Sequence, residues 1–162
     1  MDFKLDLIVL PVSDVDRARA FYQALGFRLD VDYTDGDDFR FVHFTPPGSE
    51  CSIVFGKGLT SAAPGSIQAV HLVASDIEEA RAELLGRGIE VSEVSHDVVH
   101  IHKAGEVIHH GAGPERGANP LPAHVDYGPF ATFSDPDGNG WVLEEVKPRA
   151  LGGEEGADFD TF

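Results

Sequence analysis

Cysteine is almost absent from this sequence. The single cysteine, Cys51, excludes an internal disulfide bond, and this is typical of proteins that fold in a reducing compartment. It begins the apolar segment Cys51–Phe55, which has the composition of a strand. We therefore interpret Cys51 as a small buried apolar residue rather than as a nucleophile.

Basic residues are scarce as well, because 12 Lys and Arg stand against 28 Asp and Glu, for a net charge of −16. Nucleic acids and anionic membrane surfaces both attract basic proteins, so we expect neither as a partner. No uncharged apolar run reaches membrane-spanning length, and the residues after Met1 lack the pattern of a signal peptide. These features together predict a cytoplasmic protein.

What the sequence does contain is an internal repeat with an offset of 62 residues. Each copy has an apolar strand, a Ser-Asp pair suited to cap a helix, a helical pattern and a glycine suited to end it. The matching positions are Leu10 and Leu72, Ser13-Asp14 and Ser75-Asp76, Ala18-Arg19-Ala20 and Ala80-Arg81-Ala82, and Gly26 and Gly88. A repeat with matching start, body and end predicts a duplicated architecture.

The repeat divides the chain into two units of the order β-α-β-β-β. We predict a first module over residues 1–56, a linker over 57–66, a second module over 67–147 and an acidic flexible tail over 148–162. The predicted strands are Phe3–Leu10, Phe27–Tyr33, Phe39–Thr45, Cys51–Phe55, Ile67–Ala74, Ile89–Val94, Pro129–Ser134 and Gly140–Val146, and the helices are Val15–Leu25 and Ile77–Arg87. The second module carries a histidine-rich insertion over residues 96–126, in which a small hairpin around Lys103–Gly105 is expected.

Two motifs make the chain resemble a known superfamily. Ala20–Phe27, with the sequence AFYQALGF, follows the first cap, and Ser134–Asn139, with the sequence SDPDGN, precedes the last strand. With the two β-α-β-β-β units, these motifs resemble the vicinal oxygen chelate superfamily, which includes glyoxalase I, extradiol dioxygenases and bleomycin-resistance proteins. The resemblance implies an α+β fold in which two βαβββ modules form a cupped sheet with the helices outside.

The resemblance also indicates where a metal ion would bind. In metal-dependent members, the first and last strands of each module supply His or Glu ligands that point into the cup. The positions that correspond here are Leu7, Ala69 and Val142, and the fourth strand of the first module offers only residues 52–55. Because these side chains cannot ligate a divalent ion, no cofactor is expected at the family positions.

Two polar residues lie close to the family positions. His71 is two residues beyond Ala69 and Glu144 is two residues beyond Val142, so strand periodicity keeps both on the cup side. The family topology makes these two strands parallel neighbours. We therefore predict that His71 and Glu144 form a hydrogen-bonded pair, which either binds a polar group of a ligand or acts as a general base.

Other candidate residues lie in the insertion and on the third strand. His96, His100 and His102 could hold a divalent metal, although histidines in such loops are more often simply exposed. Strand alternation places Phe39, Phe41 and His43 on one face, and that face could bind a ligand. Trp141 and Tyr127 are further candidates for the border of the cup.

Two readings of the function stay open. The first is a metal-independent binding protein of the bleomycin-resistance type, which holds an aromatic or amphipathic small molecule in an apolar cup. The second is a glyoxalase-like lyase or isomerase that uses His71 and Glu144, or a metal held by the loop histidines. The resemblance implies a homodimer, because such members commonly bind ligands in a groove shared between two copies.

Overall fold

The structure, a computed structural model, describes residues 1–95, 100–103, 106–109 and 128–145. Its strands and helices follow the predicted order, except that no regular strand forms at Ile89–Val94. They are β1 (Leu7–Val9), α1 (Val15–Ala24), β2 (Arg28–Asp35), β3 (Phe39–Thr45), β4 (Ser52–Lys57), β5 (Val70–Ala74), α2 (Ile77–Gly86), β6 (His100–Lys103), β7 (Glu106–His109), β8 (Phe130–Ser134) and β9 (Gly140–Glu145).

The strands form two main sheets. The first has the order β1-β4-β3-β2 and the second has the order β5-β9-β8. In each sheet the first strand of the module runs parallel to its last strand, β1 beside β4 and β5 beside β9, and the other pairs are antiparallel. This is the expected α+β fold of two βαβββ modules. The expected hairpin is present as β6 and β7, which pair antiparallel.

Each helix begins at the predicted cap. The side chains of Asp14 and Asp76 accept hydrogen bonds from the backbone N–H of Arg17 and Glu79, each at 2.9 Å. These bonds satisfy N–H groups that have no partner inside the helix, which is why the Ser-Asp pairs mark both helix starts. Gly26 follows α1 with a φ of 94°, a conformation that glycine adopts without steric cost.

Two predicted strands were too long, and a third is not formed as a regular strand. β1 does not begin at Phe3, and the side chain of Phe3 is almost fully exposed. β5 begins at Val70 rather than Ile67, because Ala69 has a φ of 58° and interrupts the extended backbone. Ile89–Val94 is not a regular strand. The chain from Ser92 to Ser95 makes only separate backbone contacts with β8: a hydrogen bond from Ser92 N–H to the Thr132 carbonyl and an isolated bridge between Ser95 and Phe130.

A single apolar core lies between the helices and one face of each sheet. Alternate residues of β3, Val42 and Phe44, are fully buried in it, and Tyr22 of α1 packs against residues of both modules. The rings of Tyr22 and Trp141 lie 6.0 Å apart, edge to face. Because the same cluster contains α1 and β9, the two modules share one core.

The SDPDGN turn before β9 joins the two modules. Asp135 Oδ1 accepts the backbone N–H groups of Asp137 and Asn139, which fixes the turn. Asp135 Oδ2 accepts the Tyr22 hydroxyl at 2.9 Å, and the Asn139 amide donates to the Pro11 carbonyl at 2.9 Å. Burial, and next the negative charge of Asp135, raise the pKa of Tyr22, so its phenol stays a hydrogen-bond donor. The motif therefore has a structural role here.

Candidate functional site

Each sheet has a far face, which we define as the face directed away from the helices. On β5, Val70 and Leu72 pack against the core, so His71 and Val73 lie on the far face. On β9, Trp141 and Leu143 belong to the core, so Val142 and Glu144 lie on the far face. The same reasoning places Phe41 and His43 on the far face of the first sheet.

The structure brings His71 and Glu144 together. His71 Nδ1 lies 3.2 Å from Glu144 Oε1, at ion-pair distance, and the side chains are 45% and 23% exposed. In the parallel ladder His71 is the direct partner of Val142, so Glu144 lies one far-face position further along β9. The predicted adjacency therefore follows from the parallel pairing of β5 and β9.

A cavity of about 750 Å³ lies at the end of the second sheet where β5 and β9 begin and β8 ends. Its lining includes Ala69 and Val142, two of the positions at which metal-dependent relatives have ligands. Thr132 and Gly140 also line it, together with Phe21 from α1. No sequence pattern singled out Thr132, whose place opposite Val142 follows from the register of β8 on β9.

The residues at the family positions do not fit a metal ion. Leu7 is half-buried in β1 opposite Ser52, and the hydrocarbon side chains of Leu7, Ala69 and Val142 have no donor atom. Among the residues that the structure describes, no group of three His, Cys, Asp or Glu side chains is placed to hold a metal. We therefore derive no chemistry through a metal at these positions.

The loop histidines lie in the least described part of the chain. His96 lies outside the described residues, so the structure gives it no position. His100 and His102 belong to β6, where their backbones pair with His109 and Val107. The metal site suggested for these three histidines therefore stays a prediction.

The far face of the first sheet is rich in rings. Tyr33 and Phe39 have ring centroids 6.5 Å apart, and Phe41 and His43 have theirs 6.1 Å apart, both pairs edge to face. Tyr33 is 54% exposed and Phe39 is 36% exposed. Nε2 of His43 is buried and has no hydrogen-bond partner among the described residues, which carries a free-energy cost. The residues predicted from β3 thus share one aromatic face.

A short polar chain borders this aromatic face. Asp30 accepts a hydrogen bond from the Thr45 hydroxyl, which lies 2.8 Å from the hydroxyl of Ser52. Bonding to Arg28, and next to Thr45, lowers the pKa of the Asp30 carboxyl, so it is ionised at neutral pH. A β-bulge between Leu29 and Val31 places Asp30 here, and strand alternation alone did not predict it.

The remaining two candidates differ in outcome. Trp141 is 2% exposed, its ring stacks on Phe133 with centroids 6.0 Å apart, and its Nε1 donates to the Tyr22 hydroxyl at 3.3 Å. It also borders the cavity, but most of its surface packs in the core. Tyr127 lies outside the described residues. In the described part of the chain, neither helix has the length and apolar character needed to cross a membrane.

Comparison with known proteins gives the chain a family. Residues 4–143 match the model of the Glyoxalase/Bleomycin resistance protein/Dioxygenase superfamily. A search of curated proteins finds no match.

Several solved structures are similar over nearly the whole chain. TnmS3, an antibiotic binding protein from Streptomyces sp. CB03234, is 27% identical, with 90% of this chain and 98% of that chain covered and a TM-score of 0.62. A glyoxalase/bleomycin resistance protein from the same organism is 28% identical, with 87% and 99% covered and a TM-score of 0.58. A superfamily member from Sphaerobacter thermophilus DSM 20745 is 25% identical, with 90% and 98% covered and a TM-score of 0.61. Fold, motifs and family match agree, and the chain belongs to the glyoxalase/bleomycin resistance protein/dioxygenase superfamily.

Proposed function

We propose that this chain is a metal-independent binding protein of the bleomycin-resistance type, which holds a small aromatic or amphipathic molecule. The observation that carries the proposal is the cavity of about 750 Å³, which is lined by Ala69 and Val142 where metal-dependent relatives have ligands. Small-molecule sites are mostly apolar concave surfaces of this size with a few polar groups. The lining combines the apolar side chains of Phe21, Ala69 and Val142 with polar ones such as Gln68, Glu90 and Thr132, so it favours a ligand that buries apolar surface and carries a few polar groups.

The comparisons support the same class of function. TnmS3, which is 27% identical and covers almost the whole chain, is an antibiotic binding protein. The antibiotic is a ligand of TnmS3. For this chain, the shared architecture supports the expectation of a small organic ligand. The aromatic far face of the first sheet, with Tyr33, Phe39 and Phe41, offers further surface for such a ligand.

The binding protein is proposed to act as a homodimer in the cytoplasm. Large apolar side chains are exposed in the N-terminal segment and on the far faces, among them Phe3 at 88%, Val73 at 64% and Tyr33 at 54%. Exposed apolar groups of this kind are typical of surfaces that bind another molecule. Sedimentation velocity of the purified chain tests the dimer, and a monomer at micromolar concentration would contradict it.

A thermal-shift screen tests the binding function. The untagged protein is heated with a panel of aromatic compounds and, separately, with divalent metal ions with and without a chelator. A ligand that binds only the folded state raises the melting temperature. We expect stabilisation by at least one apolar aromatic compound without metal, and no chelator-sensitive shift. Stabilisation by one metal, reversed by the chelator, would contradict the proposal.

Two matched variants locate the ligand in the cavity. Thr132→Phe adds a ring to a side chain that lines the cavity, whereas Val73→Phe adds one on the same far face at a residue outside the lining. Aromatic residues suit strands, so both variants should fold. We expect Thr132→Phe to abolish the ligand-induced shift and Val73→Phe to retain it. Equal effects of the two substitutions would place the ligand elsewhere.

A second function is favoured by one observation, the contact of His71 with Glu144 beside the cavity-lining Val142. A histidine oriented by a carboxylate is a common general base, so a glyoxalase-like lyase or isomerase is the alternative. His71→Ala and Glu144→Gln would each abolish turnover of a substrate found by screening. A metal version of this enzyme would use His96, His100 and His102, and elemental analysis of untagged protein without stoichiometric metal would exclude it.

A further inference from the structure

The contact between His71 and Glu144 favours one of the two ring nitrogens of His71 as the one that carries the proton. Nδ1 lies 3.2 Å from the carboxylate oxygen Oε1. In a neutral imidazole one nitrogen is a donor and the other an acceptor. A lone pair on Nδ1 would lie next to the negative carboxylate, so the proton is favoured on Nδ1. Nε2 is then the acceptor of the ring.

The position of His71 makes this acceptor available to a ligand. His71 does not itself line the cavity, but it is the direct ladder partner of Val142, which does, and 45% of its side chain is exposed on the same far face. Among the described residues, no hydrogen bond satisfies Nε2. The neighbouring carboxylate of Glu144 and the net charge of −16 both repel an anion.

We propose that His71 accepts a hydrogen bond from the ligand and thereby selects neutral molecules that carry an O–H donor beside an apolar body, such as phenols and enols. The inference rests on the small-molecule binding proposed above and adds the chemical class of the ligand. The apolar body lies against Ala69 and Val142, and the hydroxyl faces Nε2. Methylation or ionisation of the hydroxyl removes the donor, so both weaken binding.

The first test compares 2-naphthol with 2-methoxynaphthalene, which has nearly the same apolar body and no donor. Their affinities are measured by fluorescence titration at a pH at which 2-naphthol is neutral. We expect the wild-type protein to prefer 2-naphthol by about three- to tenfold, the effect of one hydrogen bond. His71→Leu should remove this preference and leave the affinity for 2-methoxynaphthalene within about twofold of wild type. Val73→Leu, on the same face, should keep the preference.

The second test reads the tautomer directly in the unliganded protein and needs no variant to bind. Long-range ¹⁵N–¹H spectra of the histidine rings distinguish Nδ1–H from Nε2–H, and the signal absent from His71→Leu assigns His71. We expect the Nδ1–H form in the wild type and a shift toward Nε2–H in Glu144→Gln. An Nε2–H form in the wild type would overturn the inference.

The outcomes separate this inference from the function on which it rests. If both naphthalenes bind the wild type equally, or if His71→Leu keeps the preference, the inference fails and small-molecule binding stands. If no compound of the panel, including the two naphthalenes, binds at all, the proposed function fails and the inference fails with it. A preference for 2-naphthol that disappears in His71→Leu supports both.

Discussion

Tyr22→Phe tests whether the SDPDGN turn holds the two modules together. The Tyr22 hydroxyl is buried, donates to Asp135 Oδ2 at 2.9 Å and accepts from Trp141 Nε1 at 3.3 Å. The substitution removes one oxygen atom and leaves the ring in place. It therefore deletes a bond to a carboxylate of the other module and leaves the indole N–H without its acceptor, at almost no cost in packing.

The expected loss follows from these two bonds. A hydrogen bond to a charged group contributes about 1.5–3 kcal/mol, and a buried donor left without a partner costs about 1–3 kcal/mol. The two contributions overlap because one hydroxyl makes both bonds, so we expect the free energy of unfolding to fall by about 2–4 kcal/mol. This is a large part of the stability of a typical domain, which is about 5–15 kcal/mol.

Urea denaturation provides the measurement. Trp141 is the only tryptophan and is buried, so its fluorescence reports unfolding, with circular dichroism as an independent probe. Tyr33→Phe is the matched control, because Tyr33 is 54% exposed and should change stability by less than about 0.5 kcal/mol. If the two variants lost the same stability, the turn would not join the modules in the way we describe.

The pH dependence of stability gives a second comparison between the wild type and Tyr22→Phe. Burial raises the pKa of Tyr22, so the folded state keeps the phenol protonated at a pH at which the unfolded chain ionises it. The stability from this group is present below the unfolded pKa of about 10 and is lost as the pH rises above it. The gap between wild type and Tyr22→Phe should therefore narrow above about pH 10.

Three further predictions concern stability. The Arg40 guanidinium donates two hydrogen bonds of 3.0 Å to Asp32 and lowers the pKa of that carboxyl. Arg40→Met should therefore lose stability at pH 7, and this loss should shrink as the pH falls below about 4 and the carboxyl becomes protonated. Unfolding monitored by circular dichroism at several pH values measures it. Gly65→Ala should lower the free energy of unfolding, measured by urea denaturation, by more than about 2 kcal/mol, because Gly65 has a φ of +76° and the new Cβ would lie 2.0 Å from the Asp137 carbonyl oxygen. The control is Gly86→Ala in α2, where the new Cβ meets open space, and it should be neutral or stabilising by up to about 1 kcal/mol. Ala69→Gly should leave the stability measured by calorimetry unchanged or raise it by up to about 1 kcal/mol, because Ala69 has a φ of 58°, which glycine adopts without steric cost. A clear loss of stability would contradict that conformation.

The features that the sequence predicted well are governed by local rules. A helix cap needs only a side-chain oxygen three residues before a free backbone N–H of the first turn, and both Asp14 and Asp76 form this hydrogen bond. Predicting that His71 and Glu144 lie side by side required only the two-residue alternation of side chains in a strand and the parallel pairing implied by the resemblance. Each rule connects residues whose relative position is fixed by a single element or by one pair of strands.

The features that the sequence did not predict depend on register or on distant partners. The bulge that brings Asp30 to Thr45 exists only because β2 slips by one residue against β3. Tyr22 and Asp135 are 113 residues apart, and no local pattern relates them. The segment Ile89–Val94 has a strand-like composition, but it pairs with β8 only intermittently, and composition alone cannot supply a continuous partner.

The same structure explains why the motifs identify the family but not the activity. The SDPDGN turn makes its bonds to Tyr22 and Pro11, and in this chain these bonds join one module to the other without involving the far faces of the sheets. Ala69 and Val142, at the positions where the resemblance places metal ligands, line the cavity instead, and neither belongs to the core cluster that the two modules share. The apolar residues there offer no donor atom to a metal, while His71 and Glu144, each two residues further along the chain, form a polar pair on the far face. The function of this chain should therefore change with those few side chains while the turn, the core and the fold stay the same.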